Sequence, residues 1–157
     1  MIPACSIVEA PAGPQHLAFV ANSFRHSLRE LSHVSDVPKH VTMLARTFRG
    51  GLGRTVVATL PGHPDTFLGW ASALHGSLVF CYVPSHLRRL GIARQMVADL
   101  FGAGPIRLVY WTETAERIAH QGFPLVHDWR EFARRSREVE RTRRRQSQPQ
   151  LLERLHA

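Results

Sequence analysis

Residues 77–100 read SLVFCYVPSHLRRLGIARQMVADL, and the fold is decided by their order. Ser77 to Val83 is apolar enough for a buried strand, with Cys81 in its core. Pro84 to Leu90 makes a tight basic turn, and an amphipathic helix runs on to Leu100. Between strand and helix stands Arg88-x-x-Gly91-x-Ala93. That spacing aims backbone N–H groups at an anion, and the helix adds its positive dipole end at the same spot. Gly91 lets the backbone approach closely, Ala93 keeps the first helical turn free of bulk, and Arg88, Arg89 and Arg94 add charge. The stretch reads either as a pyrophosphate-binding turn or as an ordinary basic helix start.

Upstream, a first short strand is expected over Cys5 to Val8. A helix follows from Gln15 to Leu28, with Leu17, Val20, Ala21, Phe24 and Leu28 on one face and Pro14 in its first turn. Leu31 to Val37 is polar and reads as a loop. A second helix is expected from about Pro38 to Phe48, ended by Gly50-Gly51-Leu52-Gly53. Thr55 to Leu60, Phe67 to Leu74 and Ser77 to Val83 are three strands joined by turns too short for parallel crossovers, so they form an antiparallel meander. Gly69 marks a bulge in the middle one. Downstream, Ile106 to Trp111 follows a strand–helix unit and should pair parallel to the 77–83 strand through a right-handed crossover. A short helix through Gln121 and a strand over Phe123 to Val126 come next. Trp129, Phe132, Ala133, Ser136 and Val139 then lie on one helix face. Gln146 to Gln150 is expected to leave the helix, with Leu151 to Leu155 a loose turn. There is no internal repeat.

The 157 residues suggest one domain with room for a core, and 44% hydrophobic content excludes a disordered chain. No apolar run approaches the roughly 20 residues that span a bilayer, and MIPACSIVEAP lacks a signal-peptide pattern. A cytoplasmic protein with no membrane association is expected. Cys5 and Cys81 have neither zinc nor redox spacing and are expected to be reduced. Ten histidines form no ligand pair of the HxH or HxxxH kind, so no metal is expected, and no Gly-x-Ser-x-Gly elbow supports a serine triad. The net charge of +8 is concentrated near the C-terminus, where Arg130 to Arg145 holds eight arginines against Glu131, Glu138 and Glu140. That segment is either a solvated face or a contact for nucleic acid or an acidic partner. It lacks the interleaved aromatics of a single-strand binder.

From Val83 to Ala93 the chain resembles the GCN5-related N-acetyltransferases (the GNAT family). Their acetyl-CoA turn is Gln/Arg-x-x-Gly-x-Gly/Ala, and here a strand ends at Val83, eight residues before Gly91. The expected order, β-α-α-β-β-β-α-β-α-β, is also the family's. The resemblance covers Ser6 to Trp129. It implies an α+β fold with a mixed, mostly antiparallel sheet of six to seven strands flanked by helices. An acyltransferase domain over 1–129 would precede a basic helix and tail over 130–157. It further implies an enzyme that uses acetyl-CoA as co-substrate and acetylates an amine by direct attack. Cys81, Tyr82 and Val83 would pair with the pantetheine arm, and the turn from Arg88 through Arg89, Leu90, Gly91, Ile92 and Ala93 to Arg94 would hold the pyrophosphate. In this family a bulge splays that strand from the next, opening a wedge for the cofactor.

Many family members carry a Tyr acid on the helix after the fifth strand, and this chain has none there. The candidates for proton chemistry are His120 on that helix, Glu113 at the end of the fifth strand acting through water, and Tyr82, which is either core or acid. Surface or capping roles are the alternatives for His120 and Glu113, and a turn role for His75. Ser23 to Ser27 and Val37 to Val41 resemble small acetyltransferases carried by bacteriophages of GC-rich hosts. The first two helices usually wall the family's acceptor site, which makes Arg25, His26, Ser27, His33 and Asp36 candidates to line it. The acceptor amine stays open between a small molecule, a protein and a modified nucleobase, with nucleic acid contact through Arg134 to Arg145 and a homodimer as further expectations. A non-catalytic CoA-fold binding module that uses its Arg-rich tail is the alternative outside enzymes.

Overall fold

A computed structural model describes residues 5–10, 14–30, 40–42, 44–45, 53–110, 113–120 and 124–155 of the chain. Six strands form a single sheet in sequence order: β1 (Ser6–Ala10), β2 (Gly53–Leu60), β3 (His63–Leu74), β4 (Ser77–Tyr82), β5 (Ile106–Leu108) and β6 (Leu125–His127). β1 to β4 pair antiparallel, as short turns require, while β4–β5 and β5–β6 are parallel. The crossovers are the helices α2 (Ile92–Phe101) and α3 (Glu113–His120). Helix α1 (Pro14–Glu30) lies between β1 and β2 in sequence, with residues 40–42 and 44–45 also helical, and α4 (Trp129–Leu155) follows β6. This is the expected order. The expected start of the second helix at Pro38, and Gly50 and Gly51 beyond its end, lie outside the described residues.

Two cores, one on each face, hold the sheet. On one face α1 and α4 bring Val20, Phe24, Leu28 and Phe132 against Val57, Trp70, Leu74, Val79, Val109 and Tyr110. On the other, Ile92 and Met96 of α2 and Ala115 of α3 meet Val56, Ala58, Ala71, Leu78, Val83 and Leu108. Neighbours such as Val56, Val57 and Ala58 alternate between the two cores, the period of two that a strand imposes. Trp70 is fully buried, and its Nε1–H donates to Ser23 Oγ at 2.7 Å, which removes the penalty of a buried indole donor. Trimming such a side chain to alanine costs roughly 3–5 kcal/mol. The buried hydroxyls of Thr55 and Ser72 satisfy each other across β2 and β3 at 2.8 Å.

Some boundaries differ from the sequence reading. β3 begins at His63 rather than Phe67, because the two-residue turn at Pro61-Gly62, with Gly62 at φ 76°, lets the ladder start at once. β5 stops at Leu108, well short of Trp111, where β4 diverges from it. The sixth strand is Leu125–His127 instead of Phe123–Val126. The α4 backbone continues through Gln146 to Gln150, expected to be non-helical, and takes in Pro149 although that residue has no N–H to give the helix.

Candidate functional site

The local event that makes the site is a bulge in β4. Ser72 pairs with Phe80 but Ala73 pairs with Leu78, so Val79 is an extra residue on β4. Val79 and Phe80 consequently face the same core, while Leu78 and Cys81 face the other. A bulge bends its strand and sharpens the twist. β4 and β5 pair only at Leu78 and Leu108, with Val109 N–H donating to Leu78 O at 3.0 Å. Past that point the two parallel strands open into a wedge. The edge of β4 from Phe80 to Tyr82 that faces away from β3 has no strand partner among the described residues, and it can accept an extended ligand as an added strand.

A second close approach lies on β3. A side chain at Gly69 would place its Cβ 2.6 Å from the Tyr82 carbonyl oxygen and 3.2 Å from both Met96 Cε and Val83 Cγ2. The bulge expected near Gly69 falls at Leu68, since Ala58 pairs with Gly69 and Thr59 with Phe67. Gly69 itself serves the approach of β4.

After Val83 the chain makes a 3-10 turn over Ser85–Leu87, and Arg88 Nε donates to the Val83 carbonyl at 3.1 Å, which ties the turn to the end of β4. Arg89 (φ 67°) and Gly91 (φ 78°) are left-handed, and Gly91 caps α2 without any side-chain cap. A left-handed residue followed by a helical one curls successive amides around a common concavity. The first helical bond is Gln95 N–H to Gly91 O at 3.1 Å, so the amides of Ile92, Ala93 and Arg94 precede the ladder. Ile92 is buried and pins the helix, while Arg88, Arg89, Ala93 and Arg94 are exposed. The open end of the wedge and this amide-rich turn are thus consecutive along one strand.

The other expected residues divide. Tyr82 is half-buried on the α1 face with its ring 6.2 Å from Phe19, and Cys81 and Val83 turn to the α2 face. Glu113 is the first residue of α3, next to the wedge end of β5. His120 is exposed seven residues on, roughly 10 Å along the helix axis, toward the opposite end of β5, where Ile106 pairs with Leu125. Arg25 and His26 are exposed on α1, with Ser27 half-buried beside them, and His33 and Asp36 lie outside the described residues. His75 is a left-handed turn residue, as its hairpin position suggested; burial, then the Arg135 charge, holds its imidazole below the usual range. No cluster of three metal-ligating side chains occurs among the described residues, and no helix among them is long and apolar enough to cross a membrane.

The sequence reading missed Tyr110 and His40. Tyr110 leaves β5 inside the α1-face core, its ring 6.2 Å from Phe80 across the wedge, and its hydroxyl is hydrogen-bonded to His40 Nδ1. Trp129 lies nearby with its ring tilted, 6.4 Å from Tyr110 and 6.2 Å from His40. Neither residue belongs to a local motif. Their pairing depends on a contact 70 positions apart.

The thiols are chemically quiet. Burial pushes Cys81 up to about 12, and burial also raises Cys5, whose Sγ donates to Gln95 Oε1 at 3.1 Å. A thiol that stays protonated is a poor acyl acceptor.

The six-strand mixed sheet flanked by helices is a fold that this chain shares with a solved acetyltransferase structure. One solved structure of that kind, a probable acetyltransferase, overlaps 74% of this chain and 87% of its own with a TM-score of 0.53 at 19% identity. An aminoglycoside acetyltransferase from an uncultured soil metagenomic sample, in complex with sisomicin, overlaps 78% of this chain and 75% of its own (TM-score 0.42, 13% identity). A GNAT-family protein from Desulfovibrio desulfuricans overlaps 88% and 83% (TM-score 0.43, 16% identity). The last two overlaps are looser, and the fold assignment rests on the first. No family profile and no curated protein matches this sequence.

Proposed function

We propose that this chain is an N-acetyltransferase that moves the acetyl group of acetyl-CoA to an amine by direct attack in a ternary complex. The observation that carries the reading is the succession of bulge, unpaired β4 edge and left-handed Gly91 turn along residues 79–94. The pantetheine arm lies along Cys81, Tyr82 and Val83 as an added strand. The amides from Arg89 to Arg94 hold the pyrophosphate, with Arg88, Arg89 and Arg94 supplying positive charge. Bound acetyl-CoA supplies an activated thioester carbonyl. The protein orients it, excludes water with its aromatic α1 face, and brings the amine within reach, which is where most of the acceleration arises. The protonated thiols of Cys81 and Cys5 favour direct transfer over an acyl-cysteine route. Glu113 is the candidate base for the amine, through water, and Tyr82 and His120 are the acids the sequence offers.

The test is thermal. Acetyl-CoA should raise the melting temperature, and Gly91→Glu should abolish the shift, because a side chain at φ 78° strains the turn and a carboxylate repels the phosphates. No stabilisation by acetyl-CoA sinks the reading. Mass spectrometry of host lysate incubated with acetyl-CoA would find the acceptor. Binding with no product across a broad amine panel would favour the binding-module alternative.

A second reading concerns where the amine resides. Arg130, Arg134, Arg137 and Arg141 recur at helical spacing on the exposed face of α4, and the sequence continues with Arg143, Arg144 and Arg145. Such a stripe suits a phosphate backbone, which favours an acceptor on DNA or on a DNA-bound protein.

A further inference from the structure

We propose that Tyr110, held in place by His40, protonates the departing thiolate at the inner end of the wedge. The inference rests on the acyl-CoA reading above and names a residue that the helix Glu113–His120, which lacks a tyrosine, leaves unfilled.

Position is the first argument. The phosphate turn begins beyond Val83, and the wedge closes at Leu78 and Leu108. An arm anchored at the turn and running along β4 therefore ends, with its reactive sulfur, near the closed end. Val109 makes the last bond between the two strands, and Tyr110 is the next residue. It stands across from Phe80, the first β4 residue past the extra one. The chain has two tyrosines. Tyr82 lies nearer the phosphate end, beside Phe19, which leaves Tyr110 as the tyrosine at the closed end.

Chemistry is the second argument. The Tyr110 ring is packed among Phe24, Phe80, Trp129 and His40, and burial pushes its hydroxyl upward, so it remains a phenol and a donor. As the amine nitrogen bonds to the thioester carbon, the C–S bond breaks and its electron pair goes to sulfur. The Tyr110 proton passes to that sulfur, giving free CoA. The proton lost by the amine leaves through water and restores the phenol, so the step balances without a further reactant. The step takes His40 as the donor in their hydrogen bond, its Nδ1–H to the phenol oxygen, so that the phenol's own proton faces sulfur and His40 is a positioning group.

The experiment needs no acceptor. Calorimetric titration compares CoA with desulfo-CoA, which lacks the sulfur. Wild type should prefer CoA by about tenfold, the scale of one hydrogen bond to sulfur. Tyr110→Phe should erase the preference while binding desulfo-CoA as wild type does. His40→Ala, which leaves the ring in place, should reduce the preference and guards against a misfolded Tyr110→Phe. Once an acceptor is known, Tyr110→Phe should lower kcat by roughly 100-fold or more with KM for acetyl-CoA unchanged. Equal binding of the two ligands by wild type overturns the proposal and leaves the acyl-CoA reading standing. Loss of both ligands in Tyr110→Phe marks a structural role and also overturns it. Failure of wild type to bind either ligand overturns both readings.

Discussion

Arg135 of α4 reaches Asp128 Oδ2 with one guanidinium nitrogen at 2.5 Å, and its other terminal nitrogen donates to the His75 carbonyl at 2.5 Å. One side chain thus ties the start of α4 to the residue that follows β6 and to the β3–β4 hairpin. Asp128 is mostly buried and Arg135 about three-quarters so. Removing Arg135 leaves the mostly buried Asp128 with only the longer Arg107 contact at 3.5 Å, so Arg135→Ala should cost about 1–3 kcal/mol in urea unfolding. Arg135→Ala, Asp128→Ala and the double variant should show a coupling of about 1–2 kcal/mol. Additive losses would mean that the contact contributes packing alone.

Gly69→Ala tests whether β3 and β4 must touch closely for the wedge to open. The new Cβ meets the Tyr82 carbonyl at 2.6 Å, a backbone atom that cannot rotate aside. Overpacking of this kind costs roughly 1–3 kcal/mol. Tyr82 and Val83 are the strand that would receive pantetheine, so the variant should also lose its acetyl-CoA melting shift. Leu68→Ala, at the neighbouring residue of the same strand, removes core packing without adding a Cβ at that contact and should lose stability and keep the shift. Equal shifts in wild type and Gly69→Ala would separate the close approach from ligand binding.

What was legible follows from the range over which each feature is encoded. The meander was readable because Pro61-Gly62 and His75-Gly76 permit only antiparallel neighbours. The tight turn into α2 was readable because Arg88, Gly91 and Ala93 are close in sequence and each answers a local demand. The bulge at Val79 was not, because Val79-Phe80-Cys81 is apolar throughout and alternation cannot reveal a skipped register. The Tyr110–His40 pair was invisible for a different reason. Nothing near Tyr110 marks it as polar, and its partner arrives from a distant helix. The basic segment was readable as charge, but Arg134 is committed to Glu131 and Arg135 to Asp128, so its arginines are not equivalent.

That inequivalence gives the prediction for nucleic acid contact. Arg137 and Arg141 are exposed one helical turn apart, whereas Arg135 is a structural tie. If the stripe meets phosphates, Arg137→Gln and Arg141→Gln should each flatten the log–log salt dependence of DNA binding by about one unit. Both should leave thermal stability within about 0.5 kcal/mol. A slope unchanged in the double variant would assign the stripe to solvation.

Cys81 offers a prediction about pH and about route together. Burial disfavours its thiolate and pushes the thiol up to about 12 from the ordinary 9.0. Below the reference value both states hold the proton and the contribution to stability is complete. As pH rises between the two values the unfolded chain releases its proton first, so stability is lost with rising pH. Wild type should therefore lose about 1 kcal/mol more per pH unit than Cys81→Ala between roughly pH 9.5 and 10.5. Tyr110, also pushed upward by burial, contributes the same trend in both proteins and cancels in the difference. The substitution also bears on catalysis. A route through an acyl-cysteine would stop in Cys81→Ala, whereas direct transfer should proceed with kcat within about threefold of wild type. Mass spectrometry of the enzyme mixed with acetyl-CoA alone should find no acetyl group on Cys81, and a stable adduct there would overturn the direct route.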